Sequence, residues 1–299
     1  MATMTTSPNT VGAAIEWGAA LLDSADVYFG HGTDNSIDEA AALVFHVAGL
    51  AHDGDPSQYE RALMPDQRQT LDQLFRRRVE QRIPVAYLIN EAWFAGLSFF
   101  VDERVLIPRS PFAELIGHGF EPWLAPSRVG RLLEIGTGSG CIAVACARAF
   151  PHCEVVATDI SSAALDVARI NTRRHGVEQR VQLLEADIFD GVSGRFDLIV
   201  SNPPYVPAGQ MRDLPAEFGY EPGGALASGD DGLDSTRRIL QDAPSFLRPA
   251  GLLALEVGSG WTALEAAFPN TPFIWPMLEH GGEGIALLPA SEPDADSSR

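Results

Sequence analysis

The stretch R-L-L-E-I-G-T-G-S-G-C-I-A-V-A-C-A-R-A, Arg131 to Ala149, changes its period in the middle. It opens as an apolar run of strand length and closes as small apolar residues at helical spacing. Glycines at 136, 138 and 140 separate the two halves. Strand, glycine loop and helix form the opening unit of a parallel sheet whose ligand sits at strand carboxyl ends. The dinucleotide fingerprint G-x-G-x-x-G needs glycine at 141, where Cys141 stands, so this loop is G-x-G-x-G. Its glycines let backbone pass close to a ligand and turn sharply into a helix.

Outward from this unit the alternation continues. E-V-V-A-T-D, R-V-Q-L-L-E-A-D, F-D-L-I-V-S-N and G-L-L-A-L-E-V-G read as strands, and S-A-A-L-D-V-A-R-I-N and L-D-S-T-R-R-I-L-Q-D-A as helices between them. P-F-I-W-P-M-L and G-I-A-L-L-P read as a final hairpin joined by E-H-G-G-E. The expectation is an α/β domain with a mostly parallel sheet covered on both faces.

Three strand ends then carry chemistry. Glu134, Gly136, Thr137, Gly138, Ser139 and Gly140 form the first. Asp159 ends the second strand and is placed to accept both hydroxyl protons of a ribose. The competing reading of Asp159 is a helix N-cap, a job Ser161 does equally well. Asp187 follows the third strand and is able to accept from an adenine amine, with Ile188 or Phe189 packed on the ring. No lysine or arginine stands in the glycine loop to meet phosphates. A nucleoside without phosphate, such as S-adenosylmethionine, fits best.

The fourth strand ends in N-P-P-Y, Asn202 to Tyr205. Pro203 and Pro204 lack N–H groups and hold φ near −65°. The backbone there offers carbonyls and few donors, and Asn202 adds a side-chain oxygen. Together Asn202 and Pro203 can take both hydrogens of a planar –NH2 group, with Tyr205 as a flat wall. Such a nitrogen is a poor nucleophile, so acceptors and orientation matter more than a base.

Of 299 residues, 40 are acidic and 21 basic, for a net charge of −19. All the bases are arginine, which excludes lysine Schiff-base chemistry and a Walker lysine. The acidity argues against a surface that grips nucleic acid and is compatible with a basic protein partner. Cys141, Cys146 and Cys153 make no C-x-x-C motif, and no metal is expected. No signal peptide or membrane span is evident, so a cytoplasmic location is expected.

Residues 10 to 90 read as helices. Ser36 and Glu39 read as a capping box, Pro65 as a helix start, and Arg76, Arg77 and Arg78 as a solvated face. W-F-A-G-L-S-F-F-V reads as a hairpin.

These residues resemble the class I S-adenosylmethionine-dependent methyltransferases. F-F-V-D-E-R-V-L-I-P-R-S-P-F-A-E-L, the glycine loop, N-P-P-Y and L-P-A-E-F-G-Y-E-P-G-G-A-L-A-S-G-D-D-G-L-D are similar to the protein-(glutamine-N5) methyltransferase family. The resemblance implies a Rossmann-like, seven-stranded, mostly parallel sheet with an N-terminal helical domain. The implied organisation is a helical substrate-recognition domain over 1–91, a hairpin linker over 92–108, a methyltransferase domain over 109–290, and a disordered tail over 291–299. It implies that Asn202 and the Pro203 carbonyl hold a glutamine amide beside Pro204 and Tyr205. The cofactor would rest on the glycine loop, with Asp159 on its ribose.

P-R-S-P, Pro108 to Pro111, looks like the branch that methylates a large-subunit ribosomal protein L-3. The alternative branch, acting on peptide-chain release factors, usually reads P-R-P-E-T there. A nucleic-acid amine methyltransferase shares the N-P-P-Y logic but needs a basic groove. Pro207 replaces the usual aspartate of the branch, and Ile188 stands where release-factor enzymes often carry tryptophan. The roles of Phe100, Arg104 and Arg109, lining the pocket or bracing the strip, stay open.

Overall fold

The computed structural model describes residues 6–51, 55–279 and 284–290. The expected disordered tail lies outside them, as does most of the expected E-H-G-G-E turn. The chain forms two compact units. One comprises the described residues up to Ala92 together with Pro215–Tyr220; the other comprises Trp93–Leu214 and the described residues from Glu221 onward.

The first unit is helical, with α1 (Val11–Ser24), α2 (Ser36–Ala48), α3 (Pro65–Gln81) and α4 (Val85–Ile89). Leu22, Leu43, Val44, Leu71 and Phe75 fill its core. A Cβ on Gly18 would fall 2.3 Å from Phe75 Cζ, so glycine is what admits that ring. α3 begins at Pro65 as expected. The cap of α2 differs: Asn35 Oδ1 accepts from Asp38 N at 2.9 Å. Ser36 already lies inside the first turn, and Glu39 faces the interior.

The arginine triplet also differs from expectation. Arg76 and Arg77 are exposed, but Arg78 is 1 % exposed. It follows Leu71 and Phe75 at i+7 and i+3, so the helical period places it on the buried stripe. Its Nε donates to Glu39, one terminal nitrogen donates to Glu217 at 2.9 Å, and the other to the Tyr28 carbonyl at 2.7 Å. Glu217 also accepts from Tyr28 N at 3.0 Å. The Phe218 ring lies 4.6 Å from that of His31, and the Tyr220 hydroxyl donates to the Gln81 carbonyl. The hexapeptide Pro215–Tyr220 is thus built into the helical unit, which no local pattern foretells.

A hairpin, β1 (Ala92–Phe94) and β2 (Leu97–Phe99), turns through Ala95 and Gly96 at positive φ, and all of it but Ala92 belongs to the second unit. That unit's main sheet contains β3 (Arg131–Ile135), β4 (Glu154–Asp159), β5 (Val181–Glu185), β6 (Phe196–Ser201), β7 (Leu247–Glu256) and β8 (Ile285–Pro289). The order is β5-β4-β3-β6-β7-β8, parallel throughout except for the antiparallel β7–β8 pair. The helices are α5 (Phe112–Gly117), α6 (Cys141–Ala149), α7 (Ser162–Arg174), α8 (Asp234–Phe246) and α9 (Trp261–Ala267).

Both faces of the sheet are buried. Leu132, Leu198 and Leu252 join one core with α5 and α6, while Leu133, Ile199 and Leu253 join another with α8 and α9. That is the period-2 alternation of strands covered on two sides. The class I architecture stands, but among the described residues the main sheet has six strands, not seven. The segment 272–278 makes only one bridge, with Ile274 and Leu287 exchanging bonds of 2.9 and 2.8 Å. Pro272 and Pro276 bracket Ile274 and cannot donate to a ladder, so the pairing stops there. No helix among the described residues is long and apolar enough to cross a membrane.

Candidate functional site

β3 has β4 on one side and β6 on the other, so the chain reverses direction across the sheet at β3. Such a switch point leaves a crevice outside the strand carboxyl ends. A cavity of about 440 Å³ lies there. It is lined by Glu134, Gly136, Thr137, Gly138 and Ser139 after β3, Asp159 after β4, Asp187 and Ile188 after β5, and Asn202, Pro203 and Pro204 after β6. A larger and more open groove of about 1070 Å³ elsewhere in this unit touches none of these strand ends.

The three loop glycines have φ of +73°, +53° and +79° at 136, 138 and 140, which favours glycine at each. Their surroundings differ. A Cβ on Gly136 or Gly138 meets no atom within 4 Å, so a side chain there would occupy cavity space. A Cβ on Gly140 would lie 3.1 Å from Ala168 Cβ. Gly140 therefore does not line the cavity as expected; it caps α6 and lets α7 pack closely.

Glu134 is buried and accepts from the Thr137 hydroxyl at 2.6 Å. Burial pushes its carboxyl up to about 8, against the lowering effect of that bond. Asp159 accepts from Gly138 N at 2.8 Å and Ser161 N at 2.9 Å. Its carboxyl is raised by burial, partly offset by these N–H groups. Ser161 caps α7, accepting from Ala164 N at 3.2 Å, so Asp159 serves the loop and cavity. Each of its oxygens keeps a lone pair for a ligand hydroxyl.

Asp187 and Ile188 line the cavity, and Phe189 does not. Ile188 sits at φ +58°, and this turn sends Phe189 into the core, stacked on Phe246 at 4.4 Å. The sequence reading missed Arg238 on α8, which holds both Asp187 oxygens at 3.0 and 2.9 Å. No pattern in the sequence marks that partnership.

The N-P-P-Y segment hangs between two anchors. Before it, the Ser201 hydroxyl donates to the Ile135 carbonyl at 2.8 Å. After it, Val206 N donates to the Leu226 carbonyl at 2.8 Å. Between them, among the described residues, neither the Asn202 side-chain oxygen nor the Pro203 carbonyl accepts a hydrogen bond. Two acceptors therefore border the cavity unengaged. Tyr205 is beside the cavity rather than in its lining, with its phenol donating to Glu256 at 3.2 Å. The expected flat wall is thus turned toward β7.

The strip 104–110 supplies a further wall. Arg104 lines it while paired to Asp102 at 2.6 Å, and Arg109 lines it while paired to Glu221. Both arginines therefore line and brace at once. Phe100 braces only: its N–H donates to Asn171 at 2.8 Å, and its carbonyl accepts from the same side chain at 2.9 Å.

Comparison with known proteins agrees with this geometry. Residues 122–218 match the family described as "Methyltransferase small domain". The ribosomal protein uL3 glutamine methyltransferase of Neisseria meningitidis serogroup A is 42% identical over 93% of this chain and 92% of its own. The one from Xanthomonas campestris is 46% identical over 95% of this chain and 92% of its own. Among solved structures, the hMettl16 catalytic domain in complex with a 3′UTR hairpin shares the fold at a TM-score of 0.51. That likeness covers 79% of this chain and 85% of that one at 16% identity. With relatives of that identity matched over nine-tenths of both chains, this chain belongs to the family of ribosomal protein uL3 glutamine methyltransferases.

Proposed function

We propose that this protein transfers the methyl group of S-adenosylmethionine to the side-chain amide nitrogen of a glutamine in ribosomal protein uL3. The observation that carries this reading is the pair of unengaged acceptors, Asn202 Oδ1 and the Pro203 carbonyl, beside a glycine-loop cavity. The cavity fits the nucleoside: Gly136 and Gly138 keep space open for it, and the arginines that line it, Arg104, Arg109 and Arg238, are each already paired to a carboxylate. Glu134, Gly136, Thr137, Gly138, Ser139 and Asn202 border its seat. Asp159 meets the ribose hydroxyls, and Asp187 with Ile188 meets the adenine.

When bound, S-adenosylmethionine supplies an electrophilic methyl group on a cationic sulfur. Asn202 and Pro203 accept the two amide hydrogens and aim the nitrogen lone pair at that carbon. The acceptors push electron density onto a nitrogen otherwise delocalised into its carbonyl. Pro203 and Pro204 hold the backbone so that orientation is prepaid. The positive charge would pass from sulfur to nitrogen and be spread over both in between, so transfer creates no new charge, and the charge leaves with the proton. The nitrogen becomes acidic only once methylated, and its proton passes to water.

The helical unit takes the role of recognising uL3. It exposes Ile37 and Met64, at 62 % and 61 %, as apolar contacts for a protein surface. A net charge of −19 suits a basic ribosomal protein and opposes a nucleic-acid substrate. A ribosomal substrate places the reaction in the cytoplasm.

Labelled methyl donor, offered with uL3, a release factor or ribosomal RNA, tests the reading. The expected result is one methyl increment on one glutamine-containing peptide of uL3. Labelling of the release factor alone would reassign the substrate, and labelling of RNA would remove the amide reading. Asn202→Ala should lower kcat by about a hundredfold, as loss of a positioned catalytic dipole does, with cofactor affinity preserved by calorimetry.

A further inference from the structure

Glu256 ends β7 with its side chain 3 % exposed, after the wholly buried run Leu252 to Leu255. A buried carboxylate costs several kcal/mol of desolvation on the order-of-magnitude scale, and an apolar residue would continue that strand at lower cost. Its two oxygens have different partners. Oε1 accepts from the Tyr205 phenol at 3.2 Å, and Oε2 accepts from the Ser110 hydroxyl. Ser110 Oγ in turn accepts from Phe112 N at 3.1 Å, which fixes the start of α5.

Tyr205 is confined on its other sides as well. A Cβ on Gly258 would fall 2.8 Å from the ring, and one on Gly232 would fall 2.4 Å from the Tyr205 carbonyl oxygen. Glycine at both positions lets backbone close around this one residue. Pro203 and Pro204 have little freedom except ψ. A tyrosine held at face, carbonyl and tip therefore fixes the peptide planes just before it. Neither Tyr205 nor Glu256 lines the cavity, whereas Ser110, Asn202 and Pro203 do. Arg109, paired to Glu221, is the nearby cation acting on both Glu256 and Tyr205.

We infer that Glu256 is a positioning residue for methyl transfer, joining the Ser110 wall to Tyr205 and so fixing the acceptors Asn202 and Pro203. The inference rests on the proposed function of that site. Burial pushes the Glu256 carboxyl up to about 7, so assays belong above that pH, where it accepts from both hydroxyls.

The test is a double-mutant cycle on the full chain with uL3 as substrate. Glu256→Gln and Tyr205→Phe should each lower kcat roughly tenfold or more, the scale of a sub-ångström misplacement, while cofactor Kd stays unchanged. In the Tyr205→Phe background, Glu256→Gln should cause little further loss, because the hydroxyl through which it reaches Asn202 and Pro203 is gone. Ser110→Ala should behave likewise with a smaller effect, and it decides the matter if Glu256→Gln does not fold. An equal loss in both backgrounds, an unchanged kcat, or an effect confined to cofactor affinity would overturn the inference. If Asn202→Ala kept full activity, the proposed function would fall whatever the cycle gave. If Asn202→Ala were inactive and the cycle additive, only the role of Glu256 would fall.

Discussion

Two glycines of one loop separate binding from packing at the scale of single residues. Ala at 140 must hold φ near +79° and meet Ala168. Gly140→Ala should therefore lower unfolding free energy by about 2 kcal/mol or more, read as a lower denaturant midpoint at constant slope. Its cofactor affinity should change little. Gly138→Ala carries a similar backbone strain but adds its methyl to cavity space. It should weaken cofactor binding roughly tenfold, the effect of about 1.4 kcal/mol, measured by calorimetry. Asp159→Ala should also weaken binding, since it removes a ribose acceptor and frees Gly138 N. Gly136, Gly138, Asp159, Asn202 and the two prolines gather at one cavity as expected, because each residue type has a chemical reason to stand at a strand end. Gly140 and Phe189 were misplaced because their neighbours, Ala168 and Phe246, come from distant parts of the chain. Arg238 was invisible for the same reason.

At the scale of elements, the strands were legible because buried parallel strands are short apolar runs between glycine loops and helices. The segment 272–278 shows the limit of that rule. It is apolar and aromatic, yet its prolines leave one bridge at Ile274. Helix α3 shows another limit. Three consecutive arginines look solvated by composition, but Leu71, Phe75 and Arg78 share a face. Arg78→Met, which keeps much of the volume, leaves Glu39 and Glu217 buried without that cation. Breaking a buried pair from one side typically costs about 3–5 kcal/mol. A lower melting temperature and faster proteolysis within the helical unit should follow, whereas Arg77→Met on the exposed face should change neither.

At the scale of the whole molecule, charge and burial set the response to pH. Glu134 and Glu256 are raised from 4.5 to about 8 and about 7. The native state keeps these protons across a range where the unfolded chain has already released them. Stability therefore falls as pH rises from about 5 to about 8. Self-repulsion of a chain at −19 acts in the same direction. Asp102 and Asp231, lowered chiefly by hydrogen bonds from Arg104 and Arg237, lose their contribution only in stronger acid. Thermal melting should thus peak near pH 5, and Glu134→Gln should flatten the decline above it. Sheet direction and the crevice at β3 were legible from the alternation of periods. The path of residues 206–233 was not, because Glu217 finds Arg78 across 139 positions of sequence. That path bears on how relatives of this protein can be recombined. A chimera grafting only the first 92 residues would leave a foreign hexapeptide, Pro215–Tyr220, wedged among the transplanted helices. A graft that keeps this unit intact needs both stretches swapped as one cassette.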